Sequence, residues 1–251
     1  MKRYIVFIVL YLLIILQSNW SLANNNIVYP PIYHTLNLIS KKFSKEDYID
    51  SIFSPIGWST DGKLAYIVEV INEAGDIGEC AIFKWVIFDL VTDKVLWDSG
   101  TNFEKELPRN LWYASSEEIF KWEFVNLFNK YKKYFDKFQI KINLTTKILR
   151  FPYFYNNNTY NGFITDIHRE TKYDIPDMIT SYKTVVTKNN IAKIVGRYDD
   201  KFLLDIQIPG FIISPYEPRI ALVVCSISRG WEGPPHPIEC SFVGCHLEKG
   251  Y

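Results

Sequence analysis

Between Phe53 and Ser99 the chain alternates strand-forming runs with turn-forming ones at short, regular intervals. That rhythm constrains the fold more than any other feature, because it suits an antiparallel sheet and little else. Ser54-Pro55 leads to Trp58, and Ser59-Thr60-Asp61-Gly62-Lys63 follows, where Asp-Gly supplies the positive φ that a tight turn needs. Leu64 to Ile71 is rich in β-branched and aromatic residues, which fit a pleated, half-buried surface. After a polar gap holding Gly75 and Gly78, Cys80 to Leu90 reads as a third strand, Val91-Thr92-Asp93-Lys94 as a turn, and Val95-Leu96-Trp97 as a fourth. Strands joined this closely form a meander, each pairing with the one before it.

Residues 115 to 138 break the rhythm. Ser115 followed by Glu118 is a capping-box signature, Glu117 and Glu118 place negative charge at a helix start, and Lys130, Lys132 and Lys133 lie toward its end. Apolar residues at 120, 124, 127, 128, 131 and 135 recur at helical spacing, which predicts one long amphipathic α-helix over about 116–136, inserted in the β-rich chain. Its apolar face suits packing on the protein's own sheet, and the mixed charge of its polar face argues against a membrane-surface helix.

Strand signals then resume in Gln139–Leu144, Lys147–Tyr155, Tyr153–Tyr160, Phe163–His168, Thr184–Thr187, Ile191–Val195 and Phe202–Ile208. Asn161-Gly162 is the best two-residue hairpin turn, Asn156-Asn157-Asn158 reads as a loop or bulge, and Asn189-Asn190, Gly196 and Pro209-Gly210 punctuate the rest. Ile213-Ser214-Pro215 and the following Arg219 to Val224 parallel Phe53-Ser54-Pro55 and its following strand, which suggests two related units. The fold class expected is mainly β: antiparallel meanders in an irregular, propeller-like arrangement with one inserted helix.

The N-terminus carries an address. Lys2 and Arg3 precede an apolar run from Ile5 to Leu16, and Ser21-Leu22-Ala23 offers small residues at the −3 and −1 positions of a cleavage site. A spanning helix needs about 20 apolar residues, so the pattern is that of a signal peptide over 1–23. Export to the periplasm or beyond is expected, with no stable membrane insertion after cleavage, a loose segment at 24–32 and a single domain from residue 33 to 251. Losing Lys2 and Arg3 from 28 basic groups leaves 26 against 28 acidic ones, a balance that excludes a basic nucleic-acid binder. With 48% hydrophobic and 16% aromatic residues, the chain is equally unlike a disordered one.

The phrases Trp-Ser-Thr-Asp-Gly-Lys-Leu-Ala-Tyr, at 58–66, and Phe-Asp-Leu-Val-Thr-Asp-Lys-Val-Leu, at 88–96, resemble blades of secreted β-propellers of the TolB-like and WD-repeat type. Taken with the Ser-Pro opening, the charged central helix, the Arg-Ile-Ala-Leu-Val-Val strand and the loop Arg229-Gly230-Trp231-Glu232-Gly233-Pro234, the chain resembles a family of bacterial secreted proteins of unknown function over roughly residues 50–248. The resemblance implies export and a β-rich body, and brings no catalytic residue with it.

Four cysteines follow the signal segment: Cys80, Cys225, Cys240 and Cys245. If 219–227 and 238–247 pair across the intervening loop, Cys225 faces Cys240 or its neighbour, and a Cys225–Cys240 bridge is the cheapest of the pairings, the alternative being reduced cysteines buried in the core. Cys240 and Cys245 have opposite parity on one strand, which leaves Cys80 with Cys245. His236, Cys240, Cys245 and His246 are zinc-type ligands, yet they lack a close cysteine pair and their parity separates them. No metal or cofactor is therefore assigned.

No Gly-x-Ser-x-Gly, His-Glu-x-x-His, P-loop or Gly-x-Gly-x-x-Gly pattern occurs. His34 and His168 stand alone in the sequence, and Glu117-Glu118 reads as a helix start. The best candidate surface is the loop 229–237, whose glycines and prolines fix the backbone while Arg229, Trp231, Glu232 and His236 offer an aromatic face between charges. These features favour a non-enzymatic binding module of the cell envelope, contacting an envelope protein or ligand. The alternatives are a secreted hydrolase with a non-local active site and a structural envelope protein.

Overall fold

The computed structural model describes residues 27–40, 42, 44–71, 81–101, 107–172, 175–199, 201–230 and 233–251. The expected signal peptide, Cys80, Trp231 and Glu232 lie outside the described residues. The strands are β1 Tyr33–His34, β2 Tyr48–Ile49, β3 Ile52–Trp58, β4 Lys63–Val70, β5 Ile82–Asp89, β6 Lys94–Asp98, β7 Lys141–Ile142, β8 Tyr153–Tyr155, β9 Asn158–Lys172, β10 Ile175–Lys188, β11 Ile191–Tyr198, β12 Leu203–Ile213, β13 Arg219–Ser228 and β14 His236–His246. Among the described residues there is one α-helix, α1, which spans Ser116–Lys137. Among the described residues the protein is mainly β with a single long helix, as its turn rhythm and capping box call for.

Sheet I has the order β1-β3-β4-β5-β6, with β7 beside β3. The Asp-Gly turn closes as Ser59 N–H donates to Lys63 O with Gly62 at φ +90°, and Asp93 at φ +53° turns β5 into β6. Every residue of β3 is buried, which requires both faces of its sheet to be covered. Ile52, Ile56, Ala65, Ile67, Trp85 and Ile87 face α1, where Phe120, Phe124 and Phe135 meet them. Phe53, Trp58, Leu64 and Tyr66 face the second sheet.

The ends of α1 follow from its sequence. Ser115 and Glu118 satisfy each other's backbone N–H in a capping box. At the other end Gln139 turns left-handed at φ +57°, its N–H donates to Asp136 O, and Ile140 N–H donates to Phe135 O. That double closure takes up carbonyls the last turn would leave unpaired, and Ile140 and Phe135 join the same core.

Sheet II has the order β2-β14-β13-β12-β10-β9-β8, with β11 beside β10. Along β13, Ala221, Val223, Cys225 and Ile227 point toward sheet I, while Ile220, Leu222 and Val224 point into a third core with Tyr160, Tyr182, Val186 and Phe211. The long strands β9 and β10, of 15 and 14 residues, curl over that third core into a half-barrel. The layers are thus helix, sheet I, sheet II and the curled-back part of sheet II. They replace the radial blades suggested by the propeller-like phrases, because those phrases encode tight turns that both architectures use.

Several glycines and asparagines have roles other than those their dipeptides suggest. Asn161-Gly162 lies inside β9, and the hairpin turn is Asn156-Asn157 at φ +45° and +58°. Gly162 is a packing site: a Cβ there would meet Phe151 Cζ at 2.7 Å. Gly196 lies inside β11 and Pro209-Gly210 inside β12, the latter where a bulge lets Leu149 pair with Phe211. Asn189-Asn190 does form a turn, at φ +46° and +70°. The parallel between the two Ser-Pro units does not extend to structure, since Ser54-Pro55 lies within β3 and Ser214-Pro215 in the turn before β13.

Candidate functional site

The loop after β13 is anchored at its base. Gly230 N–H donates to His236 Nδ1 at 3.2 Å, and Gly233 N–H donates to Gly230 O at 3.1 Å. A Cβ on Gly230 would collide with the carbonyls of Gly233 and Pro235, so the closure needs glycine there. His236 is 8% exposed, and burial pushes its imidazole below the usual histidine range, partly offset by Asp47. It therefore serves the loop from inside as a neutral acceptor, not as the surface contact its place in the sequence suggests. Arg229 is exposed beside it.

The β13–β14 register places Cys225 opposite Cys240 itself and not its neighbour. Both thiols point into the core between the sheets, and Cys245 points the other way into the third core, near the Tyr251 hydroxyl at 3.7 Å. All three are buried free thiols. Ala81, which follows Cys80 in sequence, precedes β5, whereas Gly244 packs on Leu90 just beyond the far end of that strand. His236 and His246 occupy opposite ends of β14, about 33 Å apart at strand rise, so the four zinc-type ligands do not converge.

The densest polar cluster instead surrounds His34. β1 pairs His34 with Ile52, at the start of β3, and the preceding Asp50 turns back toward the same point. His34 Nδ1 lies 2.7 Å from Asp50 Oδ2, and His34 Nε2 lies 3.0 Å from Glu117 Oε1 in the first turn of α1. Asp50 Oδ1 accepts from Thr35 Oγ1 and from Leu36 N–H. Beside the cluster, Glu69 of β4 accepts from Ser116 Oγ at 2.7 Å and from Ile52 N–H at 3.0 Å. Burial raises the Glu69 carboxyl above its usual range.

Only an imidazolium carries N–H at both ring nitrogens, so two carboxylate partners favour the charged form. Glu117, aided by Asp50, raises His34 above the usual histidine range despite burial. In turn His34 and Lys121 lower Glu117. The cluster thus ties the N-terminal strand, the entry to β3 and the start of α1 with charge-assisted bonds. Nearby hydroxyls are committed elsewhere: Thr35 to Asp50, Ser116 to Glu69, and Ser51 to Ile238 O. His34 is held toward its protonated form, and it is not hydrogen-bonded to a hydroxyl nucleophile in this arrangement. His168, the other lone histidine of the sequence, pairs with Glu170 at 2.9 Å on the surface.

The members of this cluster lie at positions 34, 50, 69 and 117, too far apart for any local motif. The one available signal, Glu117 at a helix start, reads first as a dipole partner. Comparison of the chain with protein-family models, with curated proteins and with solved structures finds no match.

Proposed function

We propose that the protein is an exported, non-enzymatic binding module of the bacterial cell envelope whose contact surface is the loop 229–237. The observation carrying this reading is the anchored base of the loop, where Gly230, Gly233 and His236 close on one another while Arg229 faces solvent. A fixed loop base leaves less entropy to lose on contact, which supports the expectation that Trp231 and its charged neighbours do the recognising. The signal-like N-terminus and the resemblance to secreted bacterial proteins supply the location.

The second reading, a secreted hydrolase, draws its support from His34 between Asp50 and Glu117. One experiment separates the two. Immobilised wild-type protein, Trp231→Ala and His34→Gln are challenged with envelope extract and with ester, peptide and glycoside probes. The binding reading expects a retained partner that Trp231→Ala loses at an unchanged melting midpoint. The hydrolase reading expects probe turnover that His34→Gln abolishes, and neither response would leave the structural role.

A further inference from the structure

The mixed charge of α1 separates in space once the helix is in place. Glu117 and Glu118 belong to its first turn, and Asp136 is paired with Lys132 on one side. Lys130, Lys133 and Lys137, spaced by three and four residues, share another side and are all exposed. None of them has a carboxylate within ion-pair distance among the described residues; each ammonium instead lies 5.0 to 5.3 Å from the centre of the ring that follows it, Tyr131, Tyr134 or Phe138. Lys141, just beyond the helix, is held the same way over Tyr216 at 5.0 Å. In a chain with 28 basic and 28 acidic residues, such an uncompensated row is a local feature and not an overflow of net charge.

From this we infer that the lysine row docks the protein on an anionic phospholipid surface. The row stands on one convex helix with Lys and no Arg, which suits diffuse attraction to a plane of phosphates better than bidentate reading of a nucleic acid. The docking is peripheral and independent of the loop 229–237, so either reading can fail without the other.

The test is vesicle sedimentation of the full chain, with phosphatidylcholine alone against an equimolar mixture with phosphatidylglycerol. Lys130→Gln/Lys133→Gln/Lys137→Gln is compared with Lys45→Gln/Lys94→Gln/Lys249→Gln, which removes the same charge from exposed sites elsewhere. Wild type and the second triple should prefer the anionic vesicles. The first triple should lose about a hundredfold in partitioning, near fivefold per lysine. The preference should vanish near 1 M salt, where the Debye length is about 3 Å. All three proteins should melt alike. Equal losses in the two triples, no anionic preference, or tighter capture of a single-stranded oligonucleotide than of the anionic vesicles would overturn the proposal.

Discussion

Gly244 lacks a side chain because Leu90 occupies the space one would need. A Cβ there would fall well inside the contact distance to Leu90 O, and Gly244 N–H donates to Asp93 Oδ1 at 2.8 Å, pinning the β5–β6 turn of sheet I to β14 of sheet II. Arg219 strengthens the same joint by donating to Leu90 O and to Glu217. Gly244→Ala must push backbone away from backbone, and a loss of about 2–3 kcal/mol in urea unfolding is expected. His34 gives a residue-scale prediction with a sign. Its folded pKa is raised, so its contribution is fully present below the unfolded value of about 6.5 and is lost as pH rises through the folded value. Glu117 is shifted downward, so its share is lost only as pH falls below the ordinary carboxylate range. Wild type should therefore exceed His34→Gln by about 1 kcal/mol near pH 6, the scale of a partly exposed ion pair, and the gap should close in alkaline buffer. A gap independent of pH would mean that packing, not charge, is what the ring contributes. None of this was legible in the sequence, since the partners of His34 come from α1 and the entry to β3, and only folding brings them together.

Elements were legible where one local code decided them. The capping box and the three- and four-residue spacing specify α1 from Ser116 to within one residue of Lys137, because caps and amphipathic faces are written in neighbouring residues. The hairpin before β9 was not legible, since Asn156-Asn157 and Asn161-Gly162 carry the same turn chemistry. What decides between them is Phe151 lying over Gly162, a contact made by a residue outside the hairpin. Register in β13–β14 was accessible to within one residue, because numbering across one hairpin limits which residues can meet. It leads to a prediction at the element scale: on export to an oxidising compartment Cys225 and Cys240 should join, lowering the intact mass by two hydrogens and linking their peptides without reduction. The bridge would close a loop of about 15 residues, and its reduction should lower the urea midpoint by the equivalent of about 3 kcal/mol. Finding Cys240 linked to Cys245 would contradict the strand itself, whose alternation turns those two side chains to opposite faces.

At the scale of the whole molecule, sheet I belongs to two cores at once, one against α1 and one against sheet II. Sheet II repeats the arrangement between sheet I and its own curled strands. Shared layers couple the elements, because loosening one core exposes the back of a sheet on which the next core rests. Phe242 is the most direct probe of this coupling. Its ring lies 5.7 Å from Phe53 and 4.7 Å from Tyr66, edge-on to both, and so joins β14 to β3 and β4 across the gap between the sheets. Phe242→Ala removes both ring contacts and leaves a cavity, which costs about 3–5 kcal/mol at a site of this kind. Nothing in that substitution touches α1. If the expected single domain holds, circular dichroism reporting helix and tryptophan fluorescence, to which Trp58 and Trp85 of sheet I contribute, should nonetheless shift together to one lower midpoint. A helix signal that keeps its wild-type midpoint while the fluorescence transition moves would instead set α1 apart from sheet I, which carries both tryptophans.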